Sequence, residues 1–378
     1  MLGMLTPVRT RDAKAPLVQL WEQLNWGARL MVTPNDYRAY HLYRKGRGRR
    51  EALRYLSGPR AEPLFKPLNL EIELLTDKLA FENHFRGAGL PVPRTLAVTA
   101  ATEHVGDRPV LSTPEQISDF LRARLTAGQQ LILKMLDAER GIGVRVMTGI
   151  DGEDLLLSNG QRAPLGQTAD ELLTSGRVWL IQERIVQHPD VDALNASSLN
   201  SLRLVTFRHR NGDVDVPIAT LRIGRAANQT DGYSAGAGVA VQIDPVTGRF
   251  GDVGAQKPTY SLAPIDRHPD SGIAFAGRTM PHWPEVLELA RAFAAHAGAN
   301  RYIGWDVAST PEGPVFVEGN ESFDVGLAQL QSEGMLTDEF VTLIREETGI
   351  DYKVKRLPAL RPLDALSSLR RSLGPDIY

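Results

Sequence analysis

Two carboxylates and an amide near the C-terminal end carry the first chemical hint. The segments RYIGWDVA (301–308) and PVFVEGN (314–320) flank Pro311-Glu312-Gly313. A three-residue connection of this kind, a type I turn followed by a left-handed glycine, makes a β-hairpin and pairs Thr310 with Pro314. Carried down the ladder, that register sets Asp306 opposite Glu318. Asn320 lies two residues beyond Glu318 and so shares its face. Three oxygen donors on one face fit Mg2+, a hard cation held by one or two carboxylates together with substrate phosphates. The plainer reading is two acids and an amide facing solvent. Both strands are otherwise apolar, which speaks for burial, and a half-buried acid pair needs a cation or a proton.

A second set is LILKMLDAERGIGVRV (131–146). Lys134 sits inside an apolar strand, and a loop with Gly141 and Gly143 follows. Glycines let backbone amides approach phosphate oxygens, and a lysine adds a point charge. The alternative is a hairpin with a snorkelling lysine. No G-x-G-x-x-G opens a helix here and no Walker lysine follows, so neither dinucleotide nor P-loop chemistry is indicated.

The third set is a pair of arginines. An Asn211-Gly212 turn between SLRLVTFRHR and DVDVPIATLRI sets Arg203 opposite Thr220. Arg203 and Arg222 are then diagonal neighbours on one face, within reach of one phosphate or carboxylate. A slip of one residue would turn Arg222 away. DGYSAGAG (231–238) has the composition of a mobile loop at a ligand, or of an ordinary surface loop. The eight histidines form no metal-binding spacing, and Ser234 lies in no G-x-S-x-G elbow.

These residues need elements to position them. Thr76 or Asp77 can cap a helix that carries Leu79, Phe81, Phe85 and Ala88 inward, with Gly87 and Gly89 as its stop. Pro91 and Pro93 then force extended chain before the strand RTLAVT. Pro114–Thr126 reads as an amphipathic helix. LILKM and GVRVM are short strands, and DLLLSNG and VWLIQERI continue the β pattern to about residue 185. VAVQID and RFGDV flank a turn at 245–248. Trp283–Gly298 is a helix with Pro284 in its first turn. Before residue 73 the chain reads as a helical extension. It has helical apolar spacing at Leu17, Leu20, Trp21 and Leu24, and a window at 38–60 with eight basic residues and one acid, Glu51. That window is a solvated helical face or a patch for anions. The tail from 345 is Arg- and Leu-rich and reads as helix, then frayed chain.

Composition excludes much. The chain has 378 residues, enough for two or three domains, and a net charge of -2. That balance removes the global electrostatic case for nucleic acid. There are no cysteines, which excludes disulfides, thiolate metal sites and cysteine nucleophiles. The first residues lack the apolar core of a secretory signal, and no stretch approaches 18 apolar residues. The expectation is a cytoplasmic protein without a membrane span.

The order of the pieces resembles the ATP-grasp superfamily: TDKLAF with Lys78, the strand lysine and glycine loop, WLIQERI, NSLR (200–203), and WDVA with VFVEGN. More narrowly, NSLR, YSAG and GWDVA resemble the sugar-transfer-associated ATP-grasp family, over about residues 70–335. The resemblance implies an α+β fold in which two lobes with antiparallel sheets grip ATP, with the N-terminal helical extension added. The implied division is 1–72 for the extension, 73–130 for the first part of the unit, 131–190 for the lobe with the lysine and glycine loop, 191–345 for the lobe with the metal and substrate site, and 346–378 for the tail.

Carried over residue by residue, Lys134 would touch the α/β-phosphates, with Gly141 and Gly143 covering them. Lys78 matches the family's first lysine. Gln182, Glu183, Arg184 and Ile185 would line the adenine hinge. Asp306, Glu318 and Asn320 would bind one or two Mg2+. Arg203 would stabilise the transferred phosphoryl group or the acyl phosphate. By their own residue types, Arg222 and the 231–238 loop are the expected contacts of an anionic substrate. The ribose-binding acid has no clear position, with Asp190 and Asp192 as candidates. The implied activity is ATP-dependent carboxylate–amine ligation through an acyl phosphate, releasing ADP and phosphate. Its substrates would be small molecules, with sugar-linked ones for cell-surface polysaccharide among them. A phosphotransferase on the same fold and a non-catalytic nucleotide-binding module are the alternatives. A homo-oligomer is compatible with the sequence.

Overall fold

The computed structural model describes residues 6–138, 141–226, 228, 230–231, 233, 237–330, 332–350 and 352. Contacts divide the chain into two units. One combines Met1–Leu70, Ala255–Pro264 and Ser322–Tyr378; the other combines Glu71–Gly254 and Ile265–Glu321. No helix among the described residues is long and apolar enough to cross a membrane.

The larger unit is α+β. Its strands are β1 (Thr95–Val98), β2 (Leu131–Met135), β3 (Arg145–Asp151), β4 (Asp154–Leu157), β5 (Arg162–Pro164), β6 (Trp179–Glu183), β7 (Ser201–Arg208), β8 (Val214–Ile223), β9 (Val239–Ile243), β10 (Phe250–Gln256), β11 (Tyr302–Thr310) and β12 (Gly313–Asn320). They form two six-stranded sheets, ordered β1-β6-β2-β3-β4-β5 and β10-β9-β8-β7-β11-β12. In the first sheet Leu131, Leu133 and Ile181 turn to one side and pack on Ile117, Leu121 and Leu172. In the second, Leu202, Leu204, Trp305, Val307 and Phe316 share a core with Phe81, Phe85 and Phe293. Period-2 alternation leaves the opposite side of each sheet for polar work.

The helix Lys78–Gly87 touches both cores. Phe81 and Phe85 join the second sheet's core, while Leu79 packs with Val98 and Leu180 of the first. Asp77 caps it, accepting from the amides of Leu79 and Ala80 at 2.8 Å each. Gly87 lies inside the helix, Ala88 ends it, and Gly89 takes the left-handed conformation at φ +75°. The helix Pro114–Thr126 begins on a capping box of Thr113 and Gln116. A helix at Leu165–Thr174 interrupts the stretch that reads as continuous β pattern. Its buried Leu165, Ala169 and Leu172 follow i, i+4, i+7, a signal only two turns long.

Both hairpins that set the registers differ from expectation at the turn and agree with it further down. In β11–β12, Thr310 pairs with Gly313 across the two-residue turn Pro311-Glu312, not with Pro314. Thr310 Oγ1 tightens that turn by donating to the Gly313 carbonyl at 2.8 Å. Val317 then bulges out, and the pairing from Asp306 onward, Asp306 with Glu318, is the expected one. In β7–β8 the loop holds three residues, with His209 N–H donating to Asp213 O at 2.8 Å, instead of two. A bulge opposite Thr206 contains Pro217, which has no amide to give to a ladder. It restores Arg203 opposite Thr220.

In the smaller unit, Trp26, Leu30, Tyr37, Leu42 and Tyr55 form a core. The helix Pro16–Leu30 has the expected apolar spacing but buries the other side, with Gln19, Glu22, Gln23 and Trp26 inward. A helix at Asp338–Thr348 occupies the start of the Arg- and Leu-rich tail. Residues 353–378 lie outside the described residues, as do Gly232 and residues 234–236 of the glycine-rich segment.

Candidate functional site

The second sheet carries a row of polar residues across five strands. Gln242 on β9 pairs with Thr220 on β8, Thr220 with Arg203 on β7, Arg203 with Asp306 on β11, and Asp306 with Glu318 on β12. Direct cross-strand partners share a face, so these side chains stand in one line opposite the apolar core. On one side of this row Ser201 pairs with Arg222, and on the other side Gly304 pairs with Asn320.

Two arginines hold Asp306. Arg203 Nε donates to Oδ1 at 2.6 Å, and Arg222 Nη2 donates to Oδ2 at 2.7 Å. The side chains of Arg203 and Asp306 are only 7% and 8% exposed. Burial alone would raise the Asp306 carboxyl, but the two guanidinium groups outweigh it and hold it well below the ordinary carboxylate range. Glu318, hydrogen-bonded to Asp306, moves the other way, pushed up by burial and by the Asp306 charge. Asn320 Nδ2 donates to Gly304 O at 3.1 Å, while its Oδ1 receives no hydrogen bond from a described residue.

The first sheet contributes Lys134. It lies on β2 opposite Leu180, and is 9% exposed. Burial lowers its ammonium to about 8, against the Glu318 carboxylate, which raises it, and together with Lys78, which lowers it further. The strand lysine of one sheet and the acidic row of the other therefore sense each other's charge. Lys78, at the first position of its helix, donates to Leu136 O at 2.8 Å and Ala138 O at 2.9 Å. It braces the start of the glycine loop.

Gly141 and Gly143 both take left-handed backbone, at φ +72° and +74°. A Cβ on Gly141 would fall 2.5 Å from Thr230, next to Asp231 at the head of the other glycine-rich segment. A Cβ on Gly143 would fall 2.5 Å from Met135. The two loops thus approach each other closely. Where β6 ends, Glu183 N–H donates to Arg94 O and Arg184 N–H to Gln130 O. The Gln182 side chain is spent on Thr95 Oγ1 at 2.7 Å, and the Arg184 guanidinium on Gln130 Oε1 at 2.6 Å. Ile185 makes no backbone hydrogen bond to another described residue, which leaves its N–H and C=O for a ligand edge. Asp190 and Asp192 lie on the short helix Pro189–Asp192, where Asp192 accepts from Gln187 Nε2 at 3.1 Å.

The sequence-named residues thus fall into three groups: Asp306, Glu318, Asn320, Arg203 and Arg222 on one sheet face; Lys134, Lys78, Gly141 and Gly143 around one loop; and 182–185 at a strand end. Sequence reasoning missed Asp231 and Ser201. Asp231 lies 3.1 Å from Arg222 Nε and accepts from Ser201 Oγ at 2.8 Å. Ser201 was readable, because the register that places Arg203 opposite Thr220 also places Ser201 opposite Arg222. Asp231 had no such signal. The donor set of two abutting carboxylates and a free amide oxygen suits a hard divalent cation.

A family model described as Sugar-transfer associated ATP-grasp matches residues 64–342. No curated protein matches the chain. Among solved structures, a biotin carboxylase from Campylobacter jejuni in complex with β,γ-ATP is 14% identical at a TM-score of 0.40, covering 76% of this chain and 48% of that one. D-alanyl-alanine synthetase A from Vibrio cholerae is 10% identical at a TM-score of 0.38, covering 79% and 65%. A RimK domain ATP-grasp protein from Sphaerobacter thermophilus is 17% identical at a TM-score of 0.36, covering 71% and 68%. The chain spans about half the length of the first of these and 65% of the second.

Proposed function

The chain belongs to the sugar-transfer-associated ATP-grasp family, and from that premise we propose that it is an ATP-dependent carboxylate–amine ligase. The observation that carries the reading is the polar row Arg203–Asp306–Glu318 facing the buried Lys134. Lys134 and the Gly141–Gly143 turn would take the phosphates of ATP, and the strand end at 182–185 the adenine, with Ile185 offering its backbone. Glu318, Asn320 and Asp306 would hold Mg2+, with Asp306 giving up an arginine contact to do so. Bound there, the cation neutralises phosphate charge.

The reaction has two steps. A substrate carboxylate oxygen attacks the γ-phosphorus; the new O–P bond forms as the bond to the β-phosphate oxygen breaks, leaving ADP. An amine then attacks the acyl carbon, inorganic phosphate leaves, and the amine loses a proton. Phosphoryl transfer needs charge neutralisation and alignment more than covalent help, which Lys134 and Arg203 supply. Arg222, held by Asp306 and Asp231, would meet the anionic substrate. The two glycine-bearing loops would exclude water from the acyl phosphate. A small-molecule acid and amine, with sugar-linked ones among them, and a cytoplasmic supply of ATP fit this reading.

The test is ADP and phosphate release in Mg2+ buffer with pools of acids and amines. ADP release that requires one acid and one amine together supports the ligase and names its substrates. ADP release with a hydroxyl acceptor and a phosphorylated product replaces it with a kinase. Lys134→Ala should abolish turnover and weaken nucleotide binding, and unchanged activity in that variant removes the phosphate-site assignment.

A further inference from the structure

The helix Pro16–Leu30 is inside out for a helix of a water-soluble unit. Toward the protein it turns Gln19, Glu22 and Gln23, and Gln19 and Glu22 are held there by hydrogen bonds. Gln19 accepts from Val8 N–H at 2.9 Å and donates to Lys14 O at 2.8 Å. Glu22 takes the Lys14 ammonium at 2.7 Å and the Tyr37 hydroxyl. Toward solvent it turns Leu17, Trp21 and Leu24, which are 80%, 62% and 40% exposed, with Val18 beside them. The spacing 17, 21, 24 makes one continuous apolar stripe along the helix. A stripe of this kind, carrying a tryptophan, marks an interaction surface.

Charge says what covers it. Residues 1–70 hold thirteen Lys and Arg against five Asp and Glu, in a chain whose net charge is -2. Part of that excess lies beside the helix. Arg9 and Arg11 are exposed just before it. The strip around Arg44 and Lys45 is tied to the residues leading into the helix, Lys14 N–H donating to Tyr43 O at 2.9 Å and Lys45 N–H to Asp12 O at 2.8 Å. Lys45, Arg49 and Arg50 are exposed there. The helical turn Arg49–Ala52 packs against the Pro16–Leu30 helix. A second copy of the chain would bring the same positive field against itself. Nucleic acid would use the cations and leave the leucines wet. An anionic lipid surface takes both: the acyl boundary accepts leucine and tryptophan, and the headgroups accept the cations.

We propose that the helix Pro16–Leu30 lies in the plane of an anionic bilayer surface, with Leu17, Trp21 and Leu24 immersed and Arg9, Arg11, Lys45, Arg49 and Arg50 on the headgroups. It docks the protein on the membrane without spanning it.

The experiment is co-sedimentation of the full chain with large vesicles, of phosphatidylcholine alone or with about 30% phosphatidylserine. Binding should require the anionic lipid and should weaken as salt is raised. Leu17→Glu with Trp21→Glu should weaken it about a hundredfold, and Arg49→Glu with Arg50→Glu about tenfold or more. All these positions are exposed, so the variants should melt like the parent, and their ADP release in solution should not change. Brominated lipid should quench tryptophan emission in the parent, and this quenching should fall in Trp21→Phe, which still binds. Equal binding of the parent to neutral and anionic vesicles, or equal binding by the Leu17/Trp21 variant, overturns the proposal. So does a parent dimer that this variant splits without any change in vesicle binding.

Discussion

Removing both partners of the Arg203–Asp306 pair should cost less than the two single removals added together. The two side chains are 7% and 8% exposed, with Nε 2.6 Å from Oδ1. Unit charges about 4 Å apart at an effective dielectric of about 20 attract by about 4 kcal/mol. Breaking a buried pair by truncating one side typically costs about 3–5 kcal/mol, because the other charge is left without a partner. In Arg203→Met, Asp306 keeps Arg222 at 2.7 Å, so the loss should sit at the low end, about 3 kcal/mol. In a unit of this size that lowers the melting point by about 6–12 °C. Asp306→Asn should cost at least as much, since it leaves two guanidinium groups facing a neutral amide. The double variant keeps Arg222 with Asp231, and should cost less than the sum of the singles by about 2 kcal/mol. Urea unfolding followed by tryptophan emission measures this, because the fully buried Trp305 adjoins Asp306 on β11. Additive costs, or an Arg203→Met variant as stable as the parent, would refute the reasoning. ADP release falls in all three variants on the proposed mechanism, so stability is the readout that discriminates.

Three further outcomes follow from single positions. Glu318→Gln should lose Mg2+-dependent ADP release while the protein stays folded; a Mg2+ titration matching the parent's would detach Glu318 from the metal. Gly143→Ala should destabilise by about 1–2 kcal/mol from its left-handed backbone alone, and by more because the new Cβ would fall 2.5 Å from Met135 and 3.1 Å from Trp179; thermal melting reads this. Asp36 in the smaller unit is raised to about 6 by burial, against the hydrogen bonds from Thr33. A carboxyl raised in the folded state stabilises it below its unfolded value near 3.8, and that stability drains away as pH rises to about 6, a loss of at most about 3 kcal/mol. Asp36→Asn keeps an oxygen to accept from Thr33 N–H, so it should melt higher than the parent at pH 7 and gain nothing at pH 4.

Local features were the most legible. The helix start at Thr76 or Asp77 was readable, and Asp77 is the one that caps it, because capping is decided within four residues. The facing of Asp306 and Glu318 was also readable, but by a route the structure does not follow. The turn is a residue shorter than its sequence suggests, and a bulge at Val317 compensates. The same trade occurs in β7–β8, with a longer loop and a bulge at Pro217. Bulges answer to sheet twist and to what packs on the sheet, so no local pattern announces them. The helix Pro16–Leu30 was legible as a helix and illegible in orientation. Its stripe reads as core until Gln19 and Glu22 are seen holding Val8, Lys14 and Tyr37 inside.

Asp231 shows the limit from another side. It reaches Arg222 from a glycine-rich segment whose path no alternation constrains. The sequence by itself determined which residues share a face, because side chains alternate along a strand whatever surrounds them. It determined that Asp306 faces Glu318 in one hairpin and that Arg203 and Arg222 share a face in another. Only the tertiary structure decided that β7 lies beside β11, which joins Arg203 to Asp306 in one polar line, and that Lys134 comes within reach of the Glu318 charge. That meeting depends on how two apolar sheet faces are covered, Leu131 and Ile181 by one pair of helices and Trp305 and Phe316 by others. Burial of apolar area is non-directional, so it fixes the polar faces toward each other only once every helix has found its place.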